Sequence, residues 1–188
     1  MSKNLEELGL KSIVSKYDLF FIDIWGVVHN GIKLYENAVK VLEELSNNKK
    51  KFILLTNAPR PNLTVINTLK KMGLNNFSDS VFTSGEASKR YLLENFNNKK
   101  FFHLGPPRDF DLFKTFEDNK VLNIDDSDYL LCSGLFEEHE DDLGYYKNLL
   151  SKHITKKMIC TNPDLIVDRG DKREYCAGSI AKSFEEID

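Results

Sequence analysis

Two places in the sequence combine residue types that could do chemistry. The first is Asp23-Ile24-Trp25-Gly26-Val27, directly behind the apolar run Leu19-Phe-Phe-Ile. A carboxylate at the end of a buried strand is unfavourable unless it has a task or a partner. Taken alone, Asp23 reads equally well as the aspartate that opens the following turn. The second is Thr56-Asn57-Ala58-Pro59-Arg60-Pro61, behind Phe52-Ile-Leu-Leu. A hydroxyl, backbone N–H groups and a helix N-terminus together make an anion site. Taken alone, the plainer reading is a Thr/Asn helix cap with proline in the first turn. The two stretches gain weight together. Neighbouring parallel strands bring Asp23 and Thr56 to one edge of a sheet, where open α/β sheets bind their ligands. A carboxylate nucleophile beside a phosphate-sized cradle suits an aspartyl-phosphate intermediate.

The elements that must position these residues alternate between strand and helix, which predicts an α/β fold with a mainly parallel sheet. Leu19 to Ile22 and Phe52 to Leu55 are short apolar runs, as expected for strands buried on both faces. Helices are expected over Glu36 to Asn47, with Ala38, Val41, Leu42 and Leu45 on one stripe, and over Pro61 to Met72, with Leu63, Ile66 and Leu69 inward. The second helix should stop at Gly73. Ser80 to Thr83 reads as a third strand and Gly85 to Asn95 as a third helix. The polar Asn97-Asn98-Lys99-Lys100 is a hinge candidate. A second α/β pattern follows it, with strands at Phe101 to Leu104, Tyr129 to Cys132 and Met158 to Thr161. A helix around Asp142 to His153 lies between the last two, and helix signals return from Ala177.

Composition narrows the partners. A net charge of -3 argues against nucleic acid and anionic membrane, which need a basic field. No segment approaches the ~18 apolar residues of a membrane span, and Met1 to Glu7 has no apolar stretch of the signal-peptide kind. Cys132, Cys160 and Cys176 form no Cys-x-x-Cys pair and read as buried reduced thiols, which implies a reducing, cytoplasmic setting. Other features read as ordinary structure. Glu137-Glu-His-Glu-Asp-Asp142 is a solvated acidic run feeding a helix N-terminus. Arg169-Gly-Asp171 is a turn.

Phe-Phe-Ile-Asp23-Ile-Trp-Gly-Val-Val-His-Asn-Gly resembles the first motif of the haloacid dehalogenase (HAD) phosphatases, and Leu-Leu-Thr56-Asn-Ala-Pro-Arg resembles their second. The separation of 33 residues (56 less 23) suits a strand-helix-strand unit. Thr83-Ser-Gly-Glu86, Gly105-Pro-Pro-Arg-Asp109, Thr161-Asn-Pro-Asp164 and Cys176-Ala-Gly-Ser179 are similar to the NagD-like branch, subfamily IIA, which carries a type C2 cap. The resemblance covers nearly the whole chain. It implies a Rossmann-like core over residues 1–98 and an α/β C2-type cap over 99–188. It further implies a Mg2+-dependent phosphatase acting on a small phosphorylated metabolite. Asp23 would be the nucleophile and a metal ligand, with the Trp25 backbone carbonyl on the same ion. Thr56 and Asn57 would hold the phosphoryl oxygens, and Asp164 would face the site from the cap.

The sequence departs from the family pattern twice. The usual first motif is Asp-x-Asp, whose second Asp protonates the leaving group. Here Trp25 takes that place. General acid catalysis is worth ~10²–10⁴-fold, so turnover should be slow unless another group substitutes. His29, able to swing in from its loop, is the candidate; the alternative is an ordinary loop histidine. Second, the family's Gly-Lys-Pro segment occurs nowhere, and the sole Gly-Asp pair, Gly170-Asp171, falls in the cap. The end at Phe184-Glu-Glu-Ile-Asp188 reads as an interruption, with the returning core strands beyond it. On that reading these 188 residues alone are a nearly inactive fragment. The unpaired edge of the Asp23 strand should then drive homo-oligomer formation. Two other readings compete. One is a catalytically weak or inactive phospholigand-binding homologue. The other, a receiver domain, is set aside because its acceptor aspartate normally ends the third strand, not the first.

Overall fold

The structure is a computed structural model that describes residues 6–187. Residues 1–5, read above as part of a terminus without an apolar stretch, and residue 188 lie outside the described residues. Strands β1 (Leu19–Asp23), β2 (Lys51–Thr56) and β3 (Val81–Thr83) form one parallel sheet in that order. Helices α1 (Glu36–Asn47) and α2 (Asn62–Lys71) make the crossovers, and α3 (Ser84–Asn95) follows β3. A parallel neighbour requires such a crossover, and the alternation of apolar runs with helical stripes supplies it. The pairing runs from Leu19 opposite Lys51 to Asp23 opposite Leu55.

Only β2 lies between two strands, yet it too is fully buried on one face alone, with Ile53 and Leu55 half-buried on the other. Phe52 and Leu54 are sealed in the core, with Leu42, Leu45 and Leu69 packed against them. β1 departs from expectation. It lies at the sheet edge, Leu19 and Phe21 are 43% and 64% exposed, and only Phe20 and Ile22 face the core. Two helix stripes also differ at their margins. Val41 is 40% exposed because it stands about 100° round the helix from Leu42. Leu63 is 67% exposed, because steps of three residues fall about 60° short of a full turn and leave it far from Leu69. The end of α2 falls as expected: the Gly73 and Leu74 N–H groups donate to the carbonyls of Lys70 and Leu69. Leu54→Ala should cost about 3 kcal/mol, since a rigid central strand cannot collapse into the space left. Urea denaturation checks it.

A second sheet is also parallel, in the order β5 (Lys120–Val121), β4 (Phe101–Leu104), β6 (Tyr129–Cys132), β7 (Lys157–Cys160). All four residues of β6 are buried. Helix α4 (Leu143–Leu150) crosses from β6 to β7, and Asp142 Oδ1 accepts from the Tyr145 N–H at 3.0 Å as its cap. The acidic run before it thus ends in a helix cap, as its sequence suggests. Helix α5 (Ala177–Glu185) packs on α4. Cys132 and Cys160 face each other across β6 and β7, and all three cysteines are free. Their closeness pushes the Cys132 thiol up and Cys160 down, while Cys132 Sγ donates to the Ala177 carbonyl and Cys160 Sγ to that of Asn162.

The hairpin β8 (Ile166–Arg169) and β9 (Lys172–Tyr175) has no counterpart in the expected elements. Its strands are mostly exposed on both faces, so no apolar alternation marks them. Its turn is Gly170-Asp171, with Gly170 at φ +60°, a conformation that glycine adopts freely. The Arg169-Gly-Asp171 turn is therefore present, as the tip of a ribbon. Among the described residues no helix is long and apolar enough to cross a membrane.

Candidate active site

Asp23 and Thr56 end adjacent parallel strands and open into a cleft of about 1100 Å³ between the two sheets. Trp25, His29, Asn57 and Asp164 line the same cleft. All six residues singled out in the sequence thus meet in one place.

The Ile24 N–H donates to Asp23 Oδ1 at 2.8 Å, a bond that fixes the carboxyl just beyond the strand. The Asp23 pKa is raised from 3.8, chiefly by partial burial and also by the Asp164 carboxylate. The Ile24 N–H, His29 and the Trp25 N–H oppose the rise. Asp164 is held by Asn57, whose Nδ2 donates to its Oδ1 at 2.9 Å. This contact joins the second motif to the Asn162–Asp164 loop.

Thr56 Oγ1 accepts from the Ala58 N–H at 3.2 Å. The loop onward to Pro61 is braced by the segment Thr83–Glu86. Thr83 Oγ1 donates to the Arg60 carbonyl at 2.6 Å and accepts from the Glu86 N–H at 2.9 Å. Asn62 Oδ1 accepts from the Thr83 N–H at 2.9 Å. A Cβ on Gly85 would overlap the Pro59–Arg60 backbone, so glycine is required there. The Asn162–Asp164 loop has a matching brace. Ser179 Oγ donates to the Leu165 carbonyl at 2.6 Å, the Gly178 N–H donates to the Asp164 carbonyl at 3.1 Å, and a Cβ on Gly178 would overlap Pro163. The motifs Thr83–Glu86 and Cys176–Ser179 thus act as supports.

His29 reaches the cleft without swinging. It is buried, its Nδ1 accepts from the Gly31 N–H at 2.8 Å, and its ring meets Trp25 edge-on at 5.2 Å. With Nδ1 accepting, the neutral ring carries its proton on Nε2. Burial lowers the His29 pKa from 6.5, and Asp23 opposes that. Near neutral pH the ring is therefore uncharged, which weakens it as a proton donor.

Two contacts between the halves were not legible in the sequence. Arg60 Nε meets Asp109 Oδ1 at 3.1 Å, and Ser133 Oγ donates to Asp109 Oδ2 at 3.0 Å. His103 Nε2 lies 2.8 Å from the same Ser133 Oγ; burial pushes His103 down to about 3, so it is neutral. The Trp25 Nε1–H donates to the Asp168 carbonyl at 2.9 Å. Nothing in the residue types signals either, although Arg60 and Asp109 both stand in motifs.

A family model described as haloacid dehalogenase-like hydrolase matches residues 20–117, more than half of the chain. The chain belongs to this family. Among solved structures it is similar to a haloacid dehalogenase-like hydrolase from Brucella suis 1330, with 29% identity and a TM-score of 0.86 over 95% of this chain and 68% of that one. It is also similar to a 4-nitrophenylphosphatase from Thermotoga maritima, with 28% identity and a TM-score of 0.68 over 93% and 66%. NagD from E. coli K-12, 18% identical with a TM-score of 0.62 over 90% and 65%, shares the fold. The chain thus spans about two thirds of the length of these structures. No curated protein matches it.

Proposed function

We propose that the protein is a phosphatase that transfers the phosphoryl group of a small phosphorylated metabolite to Asp23 and then to water. The observation that supports this best is the pairing of Asp23 with Thr56 on neighbouring strand ends in one cleft. Asp23 attacks phosphorus; Thr56 Oγ1 and the Asn57 N–H hold the phosphoryl oxygens; Asp164 and Asn57 define the far wall. On the same reading residues 1–98 are the core part and 99–188 the C2-type cap. The 4-nitrophenylphosphatase name belongs to the Thermotoga relative, and it makes 4-nitrophenyl phosphate a sensible first substrate.

A magnesium ion fits the residues present. Two carboxylates, Asp23 and Asp164, stand close enough to raise the Asp23 pKa, and a divalent cation relieves such repulsion. Magnesium typically takes one or two carboxylates and completes its shell with water and phosphate oxygens. The Asp23 carboxylate and the Trp25 carbonyl would hold the ion. When bound, it neutralises charge on the phosphoryl oxygens.

Release of inorganic phosphate from 4-nitrophenyl phosphate by the protein supplied with the returning core strands, with and without added magnesium, tests the reading; residues 1–188 alone should be nearly inactive. Binding without release would favour a phospholigand-binding homologue instead, the reading that Trp25 in the acid's place keeps open. The pH dependence has a definite sign. Attack needs the carboxylate, and without a bound cation the Asp23 pKa is raised above 3.8, so added magnesium should move the acid limb of kcat/KM to lower pH. Asp164→Asn removes one of the raising influences and should move that limb to lower pH. The free thiols suit a reducing, cytoplasmic compartment, and the composition suits neither nucleic acid nor membrane. The unpaired β1 edge, beside an apolar face on which Leu19 and Phe21 are uncovered, favours self-association, which light scattering checks.

A further inference from the structure

Trp25 stands where the family pattern has a proton donor, and its indole is fixed on several sides. Its Nε1–H donates to the Asp168 carbonyl, 143 residues onward, at 2.9 Å. The Arg169 guanidinium lies over the ring, with Cζ 5.5 Å from the centroid. Behind the ring, Gly31 comes so close that a Cβ there would sit 2.7 Å from the indole. The β8–β9 hairpin is therefore docked on the residue two places after Asp23, and it carries a cation into the cleft.

That cation is only loosely neutralised. The Asp168 carboxylate is taken by Arg173, at 2.8 and 3.2 Å. The ion-pair partner of Arg169 is Glu174, at a long 3.5 Å from Nε. The chain uses arginine sparingly, five among its 26 basic residues, yet Arg60, Arg108 and Arg169 all line the cleft and no described lysine does. Arg60 is committed to Asp109, and Arg169 is the one seated on Trp25.

We propose that Arg169, positioned by Trp25, stabilises the negative charge on the departing oxygen that a proton donor would otherwise neutralise. This rests on the phosphatase reading above. An Asp23 carboxylate oxygen forms a bond to phosphorus, and the bond from phosphorus to the leaving oxygen breaks. The electron pair stays on that oxygen. The oxyanion departs hydrogen-bonded to the guanidinium and takes its proton from water. Arginine does not give up a proton in proteins, so its contribution is purely electrostatic. Arg169 is then a catalytic residue and Trp25 a positioning residue.

The test is a series of substituted phenyl phosphates, with enzyme in excess and magnesium present. Dinitrophenyl phosphate has a leaving group that needs no help; phenyl phosphate needs the most. Arg169→Gln should lose ~100-fold on phenyl phosphate, the size of one lost oxyanion contact, and less than ~3-fold on dinitrophenyl phosphate. The dependence on leaving-group pKa should steepen, and Arg169→Lys should recover part of it. Trp25→Phe keeps a ring but removes the N–H donor, and should give an intermediate slope. Trp25 is the sole tryptophan, so an indole N–H that exchanges with solvent as slowly in Arg169→Gln as in the natural protein shows that the bond to Asp168 and the hairpin have stayed in place, and that the lost charge alone accounts for the change. An equal loss on both substrates, or none, overturns the role of Arg169. A natural slope in Trp25→Phe overturns that of Trp25. Failure on dinitrophenyl phosphate, which requires neither residue, by the protein supplied with the returning core strands counts against the phosphatase reading itself and removes the proposal with it.

Discussion

Asp23→Asn is expected to abolish covalent phosphorylation, because an amide nitrogen or oxygen is no substitute for the carboxylate nucleophile. Intact-protein mass spectrometry after incubation with dinitrophenyl phosphate would show a phosphoryl adduct on the natural protein and none on the variant. The adduct should be cleaved by hydroxylamine, as an acyl phosphate is. The change is nearly isosteric, and the side-chain oxygen still accepts from the Ile24 N–H. The fold should therefore survive. The sign of the stability effect follows from the raised pKa of Asp23. A carboxyl whose pKa is higher in the folded state is held better protonated than ionised, so above 3.8 its charge works against folding. At neutral pH the variant should melt no lower than the natural protein. A phosphoryl adduct on the variant would remove Asp23 from its role.

Arg60→Ala should be the most damaging single change outside the core. Its guanidinium meets Asp109, whose side chain is 3% exposed, and leaves that carboxylate with Ser133 as its other donor when removed. Breaking one side of a buried pair typically costs about 3–5 kcal/mol, because the remaining charge is stranded. Arg60 is partly exposed, so about 3 kcal/mol is expected, measured by urea denaturation. The double change Arg60→Met with Asp109→Leu should recover much of the loss, since it strands no charge and leaves Ser133 the His103 ring as partner. The nearby bond from Thr64 Oγ1 to Asp111 Oδ2, 3.0 Å and exposed, makes a useful control. Thr64→Val should cost less than about 1 kcal/mol. If Arg60→Ala behaves like the control, the buried pair is not what joins the two halves.

The parts of the fold that were legible in the sequence are those where burial and period agree. β4 and β6 fall where their apolar runs end, and α1 spans the range its stripe marks. Asp23 and Thr56 were legible for the same reason: a polar residue that closes an apolar run announces a strand end. The errors have physical causes too. The run Leu19 to Ile22 looks doubly buried because it is wholly apolar, yet only what packs above and below the sheet decides which faces are covered, and only the Phe20–Ile22 face meets the core. The β8–β9 hairpin was invisible because nothing buries it. Its meaning lies in one backbone carbonyl, that of Asp168, and residue types say nothing about a carbonyl. Gly85 and Gly178 stood in recognised motifs, but their reason, the near contact of two backbones, appears only in three dimensions.

The bond between Trp25 and Asp168 also has a consequence in time. Its partners are separated by 143 residues. A ribosome adds about 5–20 residues per second. The strand that carries Asp23 is therefore outside for on the order of ten seconds before the hairpin that roofs it has been made. The first crossovers, β1 to β2 and β2 to β3, need only nearby chain and are free to form in that interval. The nascent protein would thus hold Asp23, the proposed nucleophile, at an open sheet edge, accessible to any reactive phosphate donor, until the later half arrives to cover it.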